Sequence, residues 1–423
     1  MSFRMKRLLI YSDCYVYGGS ERLMSSIIRS QSINAKYEVL MAYRTHQIYE
    51  EGLAAEYSPA MQSRHFIPLP ILANDTLFYR LGNLGISKFV LIPIKTFFWT
   101  LQKTGFYWLW NSIHFAYLLW HIRPDVLHIN NGGYPGAKSC TQLALIASIF
   151  HPSKIVYQIN NLAFSPKGWL ERLVDARLIK HCQFLVASKF GRVKLISARS
   201  FPPYAITQIF NTAPDECPLR TRAEFLSEWE LPENTIVLAH VAFLSARKGQ
   251  RYLLDALHLL KSHPSNLLST IVLFFVGDGE DAKELQHLCQ DYGLESNVRF
   301  VGYRKDSIEY IAHSNLFLLP SIALEDMPLV VLSAMKYGKT IIASRFAGIE
   351  EEIEDGVSGI LINPDVRTMA VAIAEAIQKQ IIQPDIMLGE RAKKRYEAIF
   401  SANVYAKSLL KLYGNLKTKD IGI

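Results

Sequence analysis

Between Pro320 and Ile362 the chain reads as a strand end, a loop, a helix, a strand and a second loop, in that order, and this succession constrains the fold more than any other feature. Pro320 and Ser321 close the apolar run Leu316 to Leu319. Pro328 stands where a first helical residue belongs, Leu329 to Tyr337 continue the helix, and Gly338 stops it. The amides of Met327, Leu329 and Val330 then fall among the unpaired donors of a helix start, a place suited to an anion such as a diphosphate. Glu325 lies just before this helix and Ser333 inside it.

The same alternation extends through the chain. Strand-like runs at Arg7 to Ser12, Tyr37 to Ala42, Val126 to Ile129, Lys154 to Ile159 and Phe184 to Ala187 are separated by helix-length segments. A second set follows at Ile236 to Val241, Thr270 to Val276, Val298 to Val301, Leu316 to Leu319, Thr340 to Ala343 and Ile360 to Ile362. This is the pattern of α/β folding, with parallel sheets covered by helices. With 423 residues, half of them hydrophobic, the chain can build two cores of roughly 150 to 200 residues each. The expected division is 1–205, 206–395 and a last helix within 396–423. Pro202, Pro203 and Pro214 mark the join.

Charge is divided unevenly. Residues 1–205 hold 23 Lys and Arg against 10 Asp and Glu, and the remainder 23 against 28, so the first part carries +13 and the second −5. Such polarity suits an anionic surface facing the first part. The basic residues are interleaved with long apolar runs and form no legible nucleic-acid module, so a membrane surface is preferred to nucleic acid. Five scattered cysteines without CxxC spacing argue against a metal cluster or disulfide framework and fit a reducing compartment. The beginning of the chain reads as a first strand, because Asp13 breaks the apolar run Leu8 to Tyr11 too early for a leader peptide.

One segment, 76–124, departs from the alternation. It contains no Asp or Glu, five basic residues (Arg80, Lys88, Lys95, Lys103, Arg123) and four of the six tryptophans, Trp99, Trp108, Trp110 and Trp120. Its apolar blocks, Phe89 to Leu101 and Phe106 to Trp120, are shorter than the ~20 residues that cross a bilayer. Aromatic rings mixed with lysines suit the headgroup boundary. The alternative is an enlarged helical layer packed on the first sheet; membrane contact is preferred.

Four loops have the composition of ligand-facing turns. Gly18 and Gly19 follow the first strand, with Ser20 placed to cap the next helix. Arg247-Lys248-Gly249 follows a later strand, and Gly277 and Gly302 follow two more, at the edge where ligands meet parallel sheets. Taken singly, each reads as well as a tight turn or a solvated lysine. In the first domain, two strands end in the polar amides Asn130 and Asn160, placed to face a cleft, whereas His128, inside an apolar run, reads as satisfied core.

In their order these segments resemble the retaining family-4 glycosyltransferases of GT-B fold. The resemblance covers most of residues 236–362, with fainter matches at Gly18-Gly19, Asp125 to His128 and Asn211. It implies two Rossmann-like domains facing a cleft and a nucleotide-sugar donor, with no cofactor and no obligatory metal. Glu325 would orient the donor sugar, and Lys248 would hold the leaving diphosphate with Arg247. Gly18, Gly19, Gly277, Gly302, Met327, Pro328, Leu329, Val330 and Ser333 would line the donor, Asn130 and Asn160 would lie on the acceptor side, and the last helix would cross back to the first domain. Three positions depart from the family: Ser333 stands where a second acid is usual, Phe243 where an arginine is usual, and Asn160 where many relatives carry a histidine. With segment 76–124, the expectation is a cytoplasmic enzyme held peripherally on the cytoplasmic face of a membrane, moving a sugar to a lipid-linked or membrane-embedded acceptor. Two alternatives stay open. The three departures suit a catalytically impaired, membrane-bound subunit, and a nucleotide-sugar epimerase fits the fold but leaves the basic aromatic segment unexplained.

Overall fold

The computed structural model describes residues 4–82, 87–150, 154–262 and 267–415. They form two compact units: one comprises the chain up to Ala187, Gly191–Ile209 and the residues from Ala406 on, and the other Ser188–Phe190 and Phe210–Tyr405.

The first unit is built on seven parallel strands, β1 (Lys6–Ser12), β2 (Tyr37–Arg44), β3 (Phe66–Leu69), β4 (Val126–Asn131), β5 (Lys154–Ile159), β6 (Cys182–Val186) and β7 (Ile206–Gln208), in the order β3-β2-β1-β4-β5-β6-β7. Leu8 to Ser12 and the whole of β4 are buried, as expected of central strands covered on both faces. Sequence reading misses β3 and β7. Each is a short edge strand; β3 contains Pro68, and β7 follows a single turn at Pro203–Ala205. Prolines are tolerated at such places without ending the sheet. The expected boundary at 205 is therefore too early, because β7 pairs with β6 and the first unit continues to Ile209. Near the end of the described chain, the helix Ala402–Asn415 brings Tyr413 to β4, where its hydroxyl lies 2.6 Å from His128 Nδ1.

The described residues of segment 76–124 are mostly helical. After Asn74–Gly82 come Lys88–Lys103, with Pro93 inside it, and Phe106–Ile122, separated by Gly105 in the left-handed region at φ 85°. Phe106–Ile122 buries Tyr107, Asn111, Phe115, Leu118 and Leu119, and Phe115 meets Tyr11 edge-on at 5.2 Å. Asn111 fixes it further, accepting from Leu72 N at 2.8 Å and donating to Leu72 O at 3.2 Å. The opposite side bares Leu109, Ile113, Tyr117 and Trp120, which recur at intervals of three and four residues and so share one helix face. Packing on the sheet and a bare apolar face thus coexist. No described helix is long and apolar enough to cross a membrane.

The second unit holds six parallel strands, β8 (Ile236–Val241), β9 (Ile271–Val276), β10 (Val298–Gly302), β11 (Leu316–Leu319), β12 (Thr340–Ser344) and β13 (Ile360–Ile362), in the order β10-β9-β8-β11-β12-β13. All six were legible in the sequence to within a residue at each end. In both sheets the strand order reverses beside the first strand of the unit, between β1 and β4 and between β8 and β11. Loops at such a reversal diverge and leave room for a ligand.

Candidate functional site

At the reversal in the second unit, the loop after β8 meets the loop after β11. Gly249 has φ 74°, and a Cβ there would lie 2.0 Å from Pro320 O, so only glycine admits this approach. The amide of Ile322 donates to Arg247 O at 2.8 Å and ties the two loops together. Lys248 Nζ consequently donates to Oε1 of Glu325, which also has Arg247 Nη1 at 3.5 Å and Ser321 Oγ at 3.5 Å. Arg247 reaches Leu324 O as well, at 3.3 Å. Glu325 is buried and Lys248 nearly so, whereas Arg247 is about one-third exposed. Two cations and a carboxylate therefore converge four residues before a helix start.

That helix is Leu329–Lys336, with Pro328 as its N-cap at ψ 118°. The proline is thus one position outside the helix instead of its first residue, and the first free amides are those of Leu329 and Val330. Met327 is buried; its sulfur accepts from Asn211 N at 3.3 Å and its carbonyl from Asn211 Nδ2 at 3.4 Å. Ser333 is also buried, and its hydroxyl turns back onto Leu329 O at 3.0 Å. Phe243 is half exposed. Gly277, at φ 143°, has no room for a Cβ beside Ala242 O, and its amide donates to Gly302 O at 2.8 Å. Packing alone accounts for glycine at 277. Gly302 has φ 67° and open space around it.

Two acids behind this site escape sequence reading. Asp326 accepts from Ser188 Oγ through Oδ1, while its Oδ2 is buried without a partner among the described residues. Burial pushes its carboxyl up to about 6, with smaller contributions from Glu351 and Glu325. Glu352 is fully buried, both carboxylate oxygens are unpaired among the described residues, and burial holds its carboxyl well above the usual range. Asp326 is masked in the sequence by its neighbour Glu325, and Glu352 by the acidic run Glu350 to Glu352, which reads as a solvated face. Only tertiary packing distinguishes Glu352 from exposed Glu350.

In the first unit the loop after β1 enters the helix Gly19–Ile28 with Gly18 as N-cap. Ser20 lies within the first turn and donates to Glu21 Oε2 at 2.6 Å, so it is not the cap. Glu21 is buried and its carboxyl raised by desolvation. It accepts from Ser12 Oγ at 2.6 Å and from Asn130 Nδ2 at 3.5 Å. Asn160 donates to Asn130 Oδ1 at 2.6 Å and accepts from Gln158 at 2.8 Å; Gln158 Oε1 in turn lies 2.8 Å from His128 Nε2. His128 is wholly buried, and burial lowers its imidazole to about 4, so it stays neutral at pH 7. Asn130 is buried too. It and His128 lie within a network that orders the ends of β1, β4 and β5. Asn160 is the more exposed member.

Residues 221–395 match the family model described as glycosyl transferases group 1. Among curated proteins, the chain is 29% identical over 225 residues to a D-inositol 3-phosphate glycosyltransferase of Corynebacterium jeikeium, covering 52% of each. It is 28% identical over 184 residues to the amylovoran biosynthesis glycosyltransferase AmsK of Erwinia amylovora, covering 42% of this chain and 44% of that one. The chain thus spans about half the length of these curated relatives. Among solved structures it resembles Anabaena Alr3699/HepE in complex with UDP, with TM-score 0.70 and 18% identity over 97% of this chain and 100% of that one. At that identity the likeness shows a shared fold, the GT-B fold.

Proposed function

We infer from the match of residues 221–395 to the model of the glycosyl transferases group 1 that the chain transfers a sugar from a nucleotide-sugar donor, with retention of configuration as in family 4. The observation that carries this reading is the convergence of Lys248 and Arg247 on Glu325 just ahead of the helix start at Leu329. An ammonium has three donors, so Lys248 can keep its bond to Glu325 and still reach a phosphate oxygen. With Arg247 and the amides of Leu329 and Val330 it would stabilise the charge that develops on the departing diphosphate. Glu325 would accept hydrogen bonds from donor-sugar hydroxyls and fix the ring for attack by the acceptor. The acceptor would enter on the same face as the leaving phosphate, which helps remove its proton. These cations supply the positive charge that such a step requires without an obligatory metal or cofactor.

The acceptor in this reading is lipid-linked or membrane-embedded, extended during assembly of a cell-surface polysaccharide or glycolipid. The enzyme would sit peripherally on the cytoplasmic face. Its support is the bare apolar face of Phe106–Ile122 together with the absence of acids between Asp75 and Asp125. A second reading, a catalytically impaired subunit, draws on Ser333, whose hydroxyl is engaged with Leu329 O, and on Phe243 in place of a cation.

Titration with UDP, GDP and ADP tests the donor site. Lys248→Gln keeps a hydrogen-bonding group near Glu325 and removes the charge. It should weaken binding of the preferred diphosphate about 10- to 100-fold, the worth of one charged hydrogen bond of about 1.5–3 kcal/mol. Unchanged affinity would remove Lys248 from the site. Binding without turnover of any corresponding sugar would favour the impaired subunit.

A further inference from the structure

A second bare apolar surface lies outside segment 76–124. The helix Trp169–His181 begins with Trp169, Leu170 and Leu173 largely exposed, and Phe164 is exposed in the loop before it. Its acids are drawn inward. Glu171 pairs with Arg199 Nη2 at 3.0 Å, and Asp175 accepts from Arg199 Nη1 at 3.0 Å and from Tyr134 Oη at 2.6 Å. Lys167, Arg172 and Arg177 are exposed. The helix start therefore presents apolar rings and chains among cations, with Asp175 buried and Glu171 paired to Arg199.

Topology places this surface. Strands β4, β5 and β6 follow one another across the sheet, so right-handed crossovers put the helices Lys138–Phe150 and Trp169–His181 on one face. The connection from β3 to β4 runs in the same sense and adds Phe106–Ile122 to that face. Side chains join the three helices in series: Gln142 donates to Ser112 Oγ at 2.7 Å, and Arg177 donates to Ser148 Oγ at 3.3 Å. Each helix runs antiparallel to the strand that follows it, so all three amino ends lie at the carboxyl edge of the sheet. Phe106, Trp108 and Leu109 are exposed at one of those ends and Trp169, Leu170 and Leu173 at another. The ends of β4 and β5, with Asn130 and Asn160, lie at the same edge.

We propose that the amino end of Trp169–His181 is a second membrane contact, which together with that of Phe106–Ile122 seats the carboxyl edge of the first sheet on an anionic bilayer. It rests on the reading of a lipid-linked acceptor and adds how such an acceptor is presented, with its headgroup held at the ends of β4 and β5. Charge selects the occupant. Exposed Lys167 and Arg172 beside the apolar residues of one contact, and exposed Lys103 just before the other, attract anionic headgroups and repel a second copy. Two linked contacts act jointly, so loss of either should cost at least about tenfold in binding.

Flotation of the full chain with vesicles of phosphatidylcholine alone, and of phosphatidylcholine with a minority of phosphatidylglycerol, tests this. Wild type should float with the anionic vesicles and much less with the neutral ones. The variant Trp169→Ser/Leu170→Ser/Leu173→Ser and, separately, Trp108→Ser/Leu109→Ser should each lower the bound fraction at least about tenfold, with melting temperature and nucleotide-diphosphate affinity unchanged. A Trp169 variant that floats like wild type would overturn the second contact, as would equal binding to neutral vesicles, or self-association lost in that variant without vesicle binding. Flotation needs no donor or acceptor, so its failure is separable from failure of the transferase reading: turnover without flotation removes the docking, and flotation without turnover leaves the docking and removes the chemistry.

Discussion

At Glu325 two cations approach one carboxylate oxygen, so the buried charge is compensated within the protein. Glu325→Gln preserves shape and removes that charge. It should lower kcat/KM by about 10²- to 10³-fold if the carboxylate acts mainly in the transition state, measured by steady-state turnover. Lys248→Ala, by contrast, strands a buried carboxylate and should cost stability as well, on the order of 3 kcal/mol, read by denaturant unfolding. At 333, glutamate in place of serine would restore the usual second acid. Ser333→Glu should tighten nucleotide binding about tenfold, equivalent to one charged hydrogen bond, and an unchanged Kd in a titration would show that the position does not meet the nucleotide. Glu325 and Lys248 were legible because each stands at a strand-to-helix loop of recognisable composition. Glu21 and Asp326 were not. Their burial depends on Ser12 and Ser188, which no local pattern connects to them.

Among the elements, the loops after β8 and β11 are held together by Gly249 at Pro320. Gly249→Ala imposes both a left-handed backbone and a clash, and should destabilise by roughly 1–3 kcal/mol while weakening diphosphate binding, because it separates Lys248 from Glu325. Thermal unfolding and nucleotide titration would register both effects; loss of stability without loss of binding would mean that the loops do not work as one element. The strands of the second unit were readable because each is a continuous apolar run bounded by turn residues. Strands β3 and β7 were hidden by their brevity and by prolines inside or just before them. The two cap assignments slipped for a related reason. Serine at 20 and proline at 328 have the right chemistry for a helix start, but the backbone enters each helix one or two residues away from the expected place.

At the scale of the whole molecule, Glu352 is a buried carboxyl without a hydrogen-bond partner among the described residues. Its folded-state pKa is raised by burial, so the folded protein binds more protons than the unfolded chain above the usual carboxylate range. Stability from this group is present at low pH and lost as pH rises through that folded value. Asp326 acts in the same sense between 3.8 and about 6. Glu352→Gln should therefore raise the melting temperature near neutral pH, by ~2–4 °C for each kcal/mol recovered, and change it little near the ordinary carboxylate pKa. An equal shift across the pH range would contradict a charge origin. The division into two α/β units and the excess of basic residues in the first were both readable from the sequence; the second apolar surface at Trp169 was not, because three apolar residues at a helix start look like core until the sheet order shows which side they take. The most direct measurement is nucleotide release by the purified chain from UDP-, GDP- and ADP-sugars, with and without a membrane lipid extract. Release from one donor class, dependent on lipid, is the expected result. Release indifferent to lipid, or no release together with no nucleotide binding, would contradict a transferase acting on a lipid-linked acceptor.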